Sequence, residues 1–387
     1  MVTLLWVSLF LIFYTFFGYG ILLFILVKIR IAIKGKRNIP DNGGNWPTLT
    51  LVISAYNEES IIVEKIKNTL ELKYPADKLK LIFVSDGSSD KTPELIAKYP
   101  AIHLMHEPER RGKINAIHRA MHVVDSEVVV FTDANTFLNK DALLNIARHF
   151  SDPTVGTVAG EKRVQIDELA DAAASEGFYW KYESKLKTWD SELYSVVGAA
   201  GELFSVRTKF FEYIEGDTIL DDFMISMLIA EKGFRTIYEP DAYAVETGSE
   251  NVKEELKRKI RIAAGGIQSI VRLKKVLNPF NNFVLTFQYI SHRVLRWTIT
   301  PFLMILAFVL NGIIALKGDV FYVCLFVLQV LFYASAILGW LLEKRQVRVK
   351  ALFIPYYFCM MNYAVIMGIR RYMQRKQSVA WEKAKRK

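Results

Sequence analysis

Cysteine is scarce in this chain: its 387 residues include two, Cys324 and Cys359, and both lie inside apolar runs. Two cysteines are too few for a disulfide scaffold, and their apolar surroundings favour buried thiols over a bridge or a metal site. Charged residues are also few, at 23%, whereas 52% of the residues are hydrophobic and 13% are aromatic. This composition excludes an intrinsically disordered chain. The length of 387 residues is sufficient for one large domain or two ordinary ones.

Two common nucleotide-binding motifs are also missing. The sequence has no GxGxxG dinucleotide fingerprint, and the pair Gly112-Lys113 is not followed by Ser or Thr as in a P-loop. His118 and His122 are four residues apart on one predicted helix, but no metalloprotease glutamate lies between them. This spacing favours a plain helix surface over a zinc site.

The net charge of +10 is concentrated beside apolar runs. Residues 28–37 carry five cations and no acid, residues 343–350 are net +3, and residues 370–387 are net +7. The rest of the chain is therefore net −5. Basic clusters at the ends of apolar segments are typical of the cytoplasmic side of a membrane protein, so the distribution argues against a nucleic-acid partner.

The N-terminal apolar segment, residues 3–27, contains no charged residue. Because its basic residues follow the apolar stretch, we expect a transmembrane helix over residues 1–27 and not a cleaved signal peptide. A basic linker, residues 28–45, would then lie in the cytoplasm.

Three further apolar stretches, 298–316, 320–342 and 351–369, predict two or three C-terminal transmembrane helices within residues 298–370, followed by a basic tail over 371–387. The number of spans and the side of the C-terminus stay open, because a third span would place the basic tail outside. Before these stretches, His292, Arg293 and Arg296 predict an amphipathic interfacial helix over residues 276–297.

Between residues 46 and 275, short apolar strands alternate with segments of helical periodicity. Strands are predicted over 49–55, 81–85, 102–105 and 127–132, and helices over 61–70, 93–99 and 113–123. This alternation predicts an α/β domain with a mostly parallel sheet and helices on both of its faces.

Polar residues follow three of these strands. Tyr56 and Glu58 come after the first strand, Asp86 ends the second, and Asp133 and its neighbour Asn135 follow a buried apolar run. Because ligands bind beyond the carboxyl ends of such strands, the recurring carboxylates favour a divalent cation and a phosphorylated ligand. Each aspartate could instead have a purely structural role. Asp86 would then form a turn, and Asp133 would cap the next helix.

Three other motifs carry further candidates. Asp221 and Asp222 precede a predicted helix, where one would cap the helix and the other would lie in its first turn. A paired carboxylate raises the proton affinity of its neighbour, which suits a general base. Lys113 opens another helix, where its ammonium and the backbone amides would receive a phosphate. Arg258 and Arg261 lie three apart on a later helix, and the alternative there is a solvated face paired with glutamates.

Taken in order, these motifs resemble the family 2 glycosyltransferases, and within them the membrane-embedded cellulose, chitin, hyaluronan and poly-N-acetylglucosamine synthases. The series spans residues 46–275 and runs SAYNEES, VSDGSSD, RGKINA, TDANT, GAAGELFSVR, LDDF and RKIRIAAGG. The resemblance implies an α/β, Rossmann-like GT-A glycosyltransferase domain in the cytoplasm. Transmembrane helices at both ends would anchor this domain in the cell membrane, among membrane lipid.

The resemblance also implies a role for each candidate residue. Five residues would hold the nucleotide sugar, a uridine-diphosphate sugar in many relatives: Tyr56, Glu58, Asp86, Lys113 and Asp133. Asp133, with Asn135, would bind Mg²⁺ or Mn²⁺ on the diphosphate. Asp222 would be the catalytic base of an inverting transfer. Three residues would face the diphosphate and the acceptor: Asp221, Arg258 and Arg261.

The sequence departs from the family pattern at two positions. Asn135 stands where the branch commonly has a second aspartate, and Ile262 stands where it has a tryptophan beneath the acceptor sugar. The second departure weakens the case for polymer synthesis, so the acceptor is either a glycan or a lipid-linked sugar. Two alternatives are a nucleotidyltransferase, which would release pyrophosphate, and an inactive membrane scaffold, which would tolerate Asp133→Ala.

Overall fold

A computed structural model describes residues 1–37, 44–165, 173–248, 251–345, 347 and 349–375. The middle of the predicted basic linker, residues 38–43, and most of the predicted basic tail, residues 376–387, lie outside the described residues.

The chain begins with a long apolar helix, α1 (Val2–Lys34), which includes one π-helical turn at Tyr14–Gly18. No charged or proline residue occurs before Lys28, so the helix is uninterrupted through its apolar part. It ends at Gly35, whose φ of +74° is a left-handed conformation that glycine adopts without strain.

A single sheet of eight strands forms the centre of the domain that follows, in the order β3-β2-β1-β4-β7-β6-β8-β5. The strands are β1 (Leu49–Ala55), β2 (Leu79–Asp86), β3 (His103–Glu107), β4 (Val128–Asp133), β5 (Thr136–Leu138), β6 (Val155–Gln165), β7 (Leu203–Arg207) and β8 (Arg235–Thr247). The helices of this domain are α2 (Ile62–Leu70), α3 (Thr92–Ile96), α4 (Lys113–Met121), α5 (Ala142–Ala147), α6 (Ala173–Leu193), α7 (Asp221–Glu231) and α8 (Val252–Arg272).

The first half of the sheet, β3-β2-β1-β4, is parallel, as the sequence predicts. Its register pairs Ala55 with Ser85 and Ser54 with Asp133, so the carboxyl ends of these strands meet at one edge. The second half is mixed, because β7 runs antiparallel to both β4 and β6. Four strand pairs of the sheet are parallel and three are antiparallel.

Alternate residues of the central strands face opposite layers of core, as the two-residue period of a strand requires. Val52 and Val129 pack against α4 and α7 on one face. Ile53 and Val130 pack against α2 and α5 on the other face. Helices therefore cover both faces of these strands, which explains why their sequences are continuous apolar runs.

Four more helices follow: α9 (Phe283–Trp297), α10 (Thr300–Ala315), α11 (Val320–Lys344) and α12 (Lys350–Met373). Among the described residues, α1, α11 and α12 are each long and apolar enough to cross a membrane. Helices α9 and α10 meet at a 60° bend and together form a fourth apolar segment, a broken span or a re-entrant one.

Helix α9 occupies most of the segment for which the sequence predicts an interfacial helix. Its basic residues face the domain: His292 is 1% exposed and contacts Asp190 and Glu183, while Arg293 and Arg296 both pair with Glu183. Since Tyr19 of α1 also donates a hydrogen bond to Asp190, this buried polar cluster connects the N-terminal apolar helix to the domain.

Helix α12 packs closely along α8. A Cβ atom at Gly368 would lie 2.5 Å from Cβ of Ala263, so the two helices approach as closely as small residues permit. This contact brings an apolar C-terminal helix against the domain that carries the candidate site residues.

Candidate active site

A cavity of about 560 Å³ lies at the edge where the parallel strands end, bounded also by α7, α8, α9 and α12. The side chains of all ten residues singled out in the sequence line it. They are Tyr56, Glu58, Asp86, Lys113, Asp133, Asn135, Asp221, Asp222, Arg258 and Arg261. The structure therefore brings together residues that are up to 205 positions apart in the chain.

Lys113 lies at the centre of a carboxylate cluster in this cavity. It is the first residue of α4, directly after Gly112, which has a φ of +91°. Its Nζ lies 2.7 Å from Oδ1 of Asp133 and 3.8 Å from Oδ2 of Asp221. Burial alone would lower the pKa of Lys113, but Asp133, Asp221 and Asp222 more than offset this effect and hold the pKa above its usual value. The side chain is therefore an ammonium at neutral pH.

Asp221 and Asp222 both lie in the first turn of α7, and the residue at the N-cap position is Leu220. The alternative in which one aspartate caps the helix is therefore wrong. Burial, together with the negative charge of Asp221, raises the pKa of Asp222 to about 7. Asp222 is thus a carboxyl group that exchanges a proton near neutral pH, as a general base must.

Asp86 has contacts with the loop that precedes α4. Its two oxygens accept hydrogen bonds from the backbone amides of Arg111 (3.2 Å) and Gly112 (2.7 Å), and Arg119 lies 3.4 Å from Oδ1. The amides predicted to receive a phosphate thus donate to Asp86. This anchorage fixes the start of α4 and so the position of Lys113.

The loop after β1 forms the other side of this end of the cavity. The guanidinium of Arg110 lies 3.7 Å from the centre of the Tyr56 ring, a cation–π contact over a flat apolar face. The backbone amide of Glu58 donates to Oγ1 of Thr92 at 2.8 Å, and Asn57 donates to Ser88 and Ser89. These hydrogen bonds join the SAYNEES and VSDGSSD segments into one rigid surface.

Helix α8 contributes the basic wall of the cavity. Arg258 lies 3.1 Å from Glu255 and 3.3 Å from Glu246, and Lys257 lies 2.7 Å from Glu254. The pairing with glutamates that the sequence suggests as an alternative is present, although Arg258 is mostly buried and faces the cavity. The glutamate pairing is therefore present but not on a solvated face, and a contact of Arg258 with the diphosphate or the acceptor stays a prediction.

The structure adds a buried pair that sequence reasoning missed. Lys162 of β6 contacts Glu202 at 2.5 Å and also Glu246, and Lys162 and Glu202 line the cavity. Glu202 belongs to the GAAGELF motif, so its place in the ordered series was a signal that was available. Lys162 carried no such signal, because its strand has no clear alternation of apolar residues.

Two glycines of the loop before β7 leave space that a side chain would fill. Gly198 has a φ of +83°, and a Cβ atom there would lie 2.0 Å from the ring of Phe223. A Cβ atom at Gly201 would lie 3.1 Å from Nζ of Lys113 and 3.3 Å from Oδ2 of Asp222. Gly198 therefore permits the packing of α7, and Gly201 keeps space beside the two central charged groups.

The described residues contain no group of three or more His, Cys, Asp or Glu side chains arranged as a metal site. Mg²⁺ needs no such cage, since it is commonly held by one or two protein oxygens and by phosphates of the substrate. Asp133 and Asn135 offer oxygen ligands at the end of β4, and burial raises the pKa of Asp133 against the opposing effect of Lys113. This donor set fits a hard divalent cation held jointly with a diphosphate. His118 and His122 line a different, smaller cavity with Tyr213.

Comparison with known proteins agrees with this arrangement. Residues 50–214 match the family described as "Glycosyl transferase family 2". The poly-β-1,6-N-acetyl-D-glucosamine synthase of Staphylococcus aureus (strain COL) is 28% identical over 256 residues, which cover 63% of this chain and 60% of that protein. The β-monoglucosyldiacylglycerol synthase of Trichormus variabilis is 27% identical over 195 residues, or 46% of this chain and 40% of that protein. The chain thus spans less than two thirds of the length of these relatives.

A solved structure resembles nearly the whole chain. The mannosyltransferase PcManGT from Pyrobaculum calidifontis, determined in complex with GDP-Man and Mn²⁺, has a TM-score of 0.71 and 25% identity. The match covers 96% of this chain and 99% of that one. The predicted fold class, a GT-A α/β sheet with apolar helices at both ends, is confirmed. Residues 50–214 thus match a family 2 glycosyltransferase domain, and a solved mannosyltransferase resembles nearly the whole chain.

Proposed function

We propose that this chain is an inverting glycosyltransferase that moves a sugar from a nucleotide-diphosphate donor to a membrane-associated acceptor. The observation that carries the proposal is the position of Asp222, a half-buried carboxyl whose pKa is raised to about 7, in the same cavity as the Lys113–Asp133 pair. One group can accept a proton, and the other two can hold a charged diphosphate.

The donor would lie at the end of the cavity formed by Tyr56, Glu58, Asp86 and Lys113. Tyr56, whose ring is stacked with the guanidinium of Arg110, lines this end of the cavity and would lie beside the nucleobase, and Lys113 offers a cation for the diphosphate. The resemblance to the synthases favours a uridine nucleotide, and the structural neighbour was determined with GDP-Man. A panel that contains both nucleotides is therefore the appropriate first screen.

Asp133 and Asn135 would hold Mg²⁺ or Mn²⁺ on the diphosphate, as their oxygen ligands permit. When bound, the ion supplies electrostatic stabilisation of the negative charge that develops on the leaving diphosphate. Lys113 adds positive charge from the protein at the same place, and Arg261 lines the adjoining wall of the cavity. Asp221 lies between Lys113 and Asp222 and raises the proton affinity of the base.

In the transfer step, Asp222 removes the proton from an acceptor hydroxyl as that oxygen forms a bond to the anomeric carbon. The bond from this carbon to the diphosphate breaks at the same time, and the nucleoside diphosphate leaves with the electron pair. Attack from the side opposite the leaving group inverts the anomeric configuration and needs no covalent enzyme intermediate. A positioned base of this kind contributes about 10²- to 10⁴-fold in rate.

The acceptor would reach the cavity from the membrane. Arg293 and Trp297 of α9 and Val365 of α12 line the cavity together with Asp222, so the site adjoins two of the apolar C-terminal helices. We place the catalytic domain at residues 46–275 in the cytoplasm, because basic segments flank the apolar helices on that side. The acceptor is then a glycan or a lipid-linked sugar at the inner leaflet of the cell membrane.

The test is a screen of UDP- and GDP-sugars with the purified full chain, Mg²⁺ or Mn²⁺, and a membrane-lipid extract. We expect one donor to release its nucleoside diphosphate and to label a lipid-soluble or polymeric product of inverted configuration. A ladder of products would identify processive synthesis, whereas one product would identify a single transfer. Release of pyrophosphate would instead identify a nucleotidyltransferase, and no turnover of any donor would favour a non-catalytic scaffold.

A further inference from the structure

Six charged side chains of alternating sign form a continuous row at one wall of the cavity. They belong to the loop before β7, to β6, to β8 and to α8, and each contacts the next in this order: Glu202, Lys162, Glu246, Arg258, Glu255 and Lys259. This charge chain contains three cations and three anions, so its charges balance. Such a balance is what allows ionised groups to be buried.

Glu246 lies in the middle of the charge chain and does not itself line the cavity. Its side chain is 3% exposed and contacts Lys162 of β6 and Arg258 of α8, the latter at 3.3 Å. Both of these cations do line the cavity. One buried carboxylate therefore joins a strand and a helix whose basic side chains form part of the cavity wall.

The register of the sheet explains why Lys162 reaches Glu246. Strands β6 and β8 are parallel, and Lys162 lies opposite Ala244, two residues before Glu246. Because residues two apart on a strand point to the same face, the two side chains are diagonal neighbours on one face of the sheet. On α8, Glu255 precedes Arg258 by three residues, a spacing at which helical side chains meet. Strand register and helix spacing thus account for two contacts of the charge chain.

Arg258 retains donors for a ligand while its carboxylate partners hold it. Its guanidinium donates from Nε and Nη2 to Glu255 and from Nη1 to Glu246. A guanidinium has five N–H groups, so two of them, one on each Nη, make no hydrogen bond to the described part of the chain. Arg258 can therefore donate to phosphate oxygens in the cavity without releasing its carboxylates.

We propose that Glu246 is a positioning residue for the transfer reaction. By bridging Lys162 and Arg258, it fixes the guanidinium of Arg258 at the cavity wall before the donor binds. Negative charge on the diphosphate grows as its bond to the anomeric carbon breaks, so a guanidinium that is already oriented stabilises the transition state more than the bound donor. The proposal rests on the proposed glycosyl transfer, with Arg258 in contact with the diphosphate. The alternative is a purely structural carboxylate that neutralises two buried cations.

Kinetics of the full chain in detergent distinguish these two roles. The variants are Glu246→Gln and its matched control, Glu239→Gln. Glu239 is on the same strand, is also 3% exposed and contacts two basic side chains, Arg148 and His149, but it lies outside the charge chain. We expect Glu246→Gln to lower kcat about tenfold or more with little change in the KM for the donor, and Glu239→Gln to change neither. Both substitutions should lower Tm, because each removes a buried charged partner.

A double-substitution cycle tests whether the effect of Glu246 is exerted through Arg258. Arg258→Lys keeps the charge but loses the planar fork of donors, so it should lower kcat by itself. Adding Glu246→Gln to Arg258→Lys should then lower kcat by a further factor of about two or less, because the positioned group is already gone. Glu246→Asp keeps the negative charge and should retain more activity than Glu246→Gln. It replaces Glu246→Gln in the cycle if that variant does not fold.

Equal kcat values for Glu246→Gln and Glu239→Gln would overturn the proposal, and so would reductions that multiply in the double variant. A rise in the KM for the donor without a fall in kcat would also overturn it, since Glu246 would then affect donor binding alone. If the wild type releases no nucleoside diphosphate from any donor, the proposed function fails and the positioning role fails with it. Turnover by the wild type together with equal variants overturns the positioning role alone.

Discussion

The ammonium of Lys113 lies 2.7 Å from Oδ1 of Asp133, in the interior of a cavity that also contains Asp222. Lys113 interacts favourably with Asp133, Asp221 and Asp222, and so does Arg261. A carboxylate cluster without such a partner would be strongly destabilised by burial. A positive charge, the ammonium of Lys113, thus lies where a diphosphate and its cation are proposed to bind.

Lys113→Met should therefore lower thermal stability in a pH-dependent manner. At pH 8 the three carboxylates lose the ammonium beside them, and the free energy of unfolding should fall by about 3 kcal/mol. At pH 5.5 the carboxyl with the raised pKa takes up a proton, which relieves part of the repulsion, so the loss should be smaller. Thermal unfolding of the full chain in detergent at the two pH values measures this difference. An equal loss at both would show that the charge of Lys113 is not what holds the cluster.

Asp221→Asn should move the acid limb of the pH–rate profile to lower pH. The negative charge of Asp221 raises the pKa of Asp222, so its removal makes Asp222 deprotonate at lower pH. The rate of sugar transfer, followed between pH 5 and 9, should fall below about pH 7 in the wild type and at a lower pH in the variant. Asp217→Asn, at the rim of the same cavity, is the matched control. An unmoved acid limb in Asp221→Asn would mean that another group sets it.

Gly201→Ala should reduce transfer while the protein stays folded. The added methyl group would lie 3.3 Å from Oδ2 of Asp222 and would occupy space beside the proposed base. We expect a fall in kcat of about tenfold or more with little change in Tm. Gly216→Ala is the control, because its methyl group would meet only Asn115, at 3.8 Å. Equal activity of the two variants would argue against an acceptor hydroxyl in that space.

Gly265→Ala should impair transfer from outside the cavity. A Cβ atom there would lie 2.6 Å from Leu220 and 3.0 Å from Ile219, the two residues before Asp221. Overpacking of this kind costs about 1–3 kcal/mol and shifts the backbone, which here carries Asp222. We expect kcat to fall more than the affinity for the donor, and Gly248→Ala, with an ordinary contact of 3.6 Å to Val164, to have no such effect. A fall in donor affinity alone would contradict a positioning role.

The parallel half of the fold was predictable because its central strands, β1 and β4, are buried on both faces. Leu49–Ala55 is a short apolar run in the sequence and is β1 in the structure, with the predicted bounds. The second half was not predictable in the same manner, because buried charges interrupt its strands. Lys162 of β6 and Glu239 and Glu246 of β8 are nearly inaccessible, yet their side chains give no apolar pattern.

The site was predictable to the extent that its residues are short motifs at the ends of elements. All ten predicted residues line one cavity, although their individual roles stay predictions. The contacts of these residues could not be predicted from the sequence. Asp86 accepts hydrogen bonds from the amides before α4, and Arg258 pairs with Glu246. Such contacts depend on the packing of distant elements. The approach of α12 to α8 was likewise not visible, because Gly368 is one small residue in an apolar run.

The central claim is that Asp133 and Asp222 share one cavity and divide the work of donor binding and proton removal. Its most direct test compares Asp133→Asn and Asp222→Asn for Mn²⁺-dependent binding of the donor nucleotide and for sugar transfer, in the same preparations. We predict that Asp222→Asn binds the nucleotide like the wild type but loses transfer by about 10²-fold or more, whereas Asp133→Asn loses the Mn²⁺-dependent binding itself. Retained transfer in Asp222→Asn, or unchanged Mn²⁺-dependent binding in Asp133→Asn, would contradict the account.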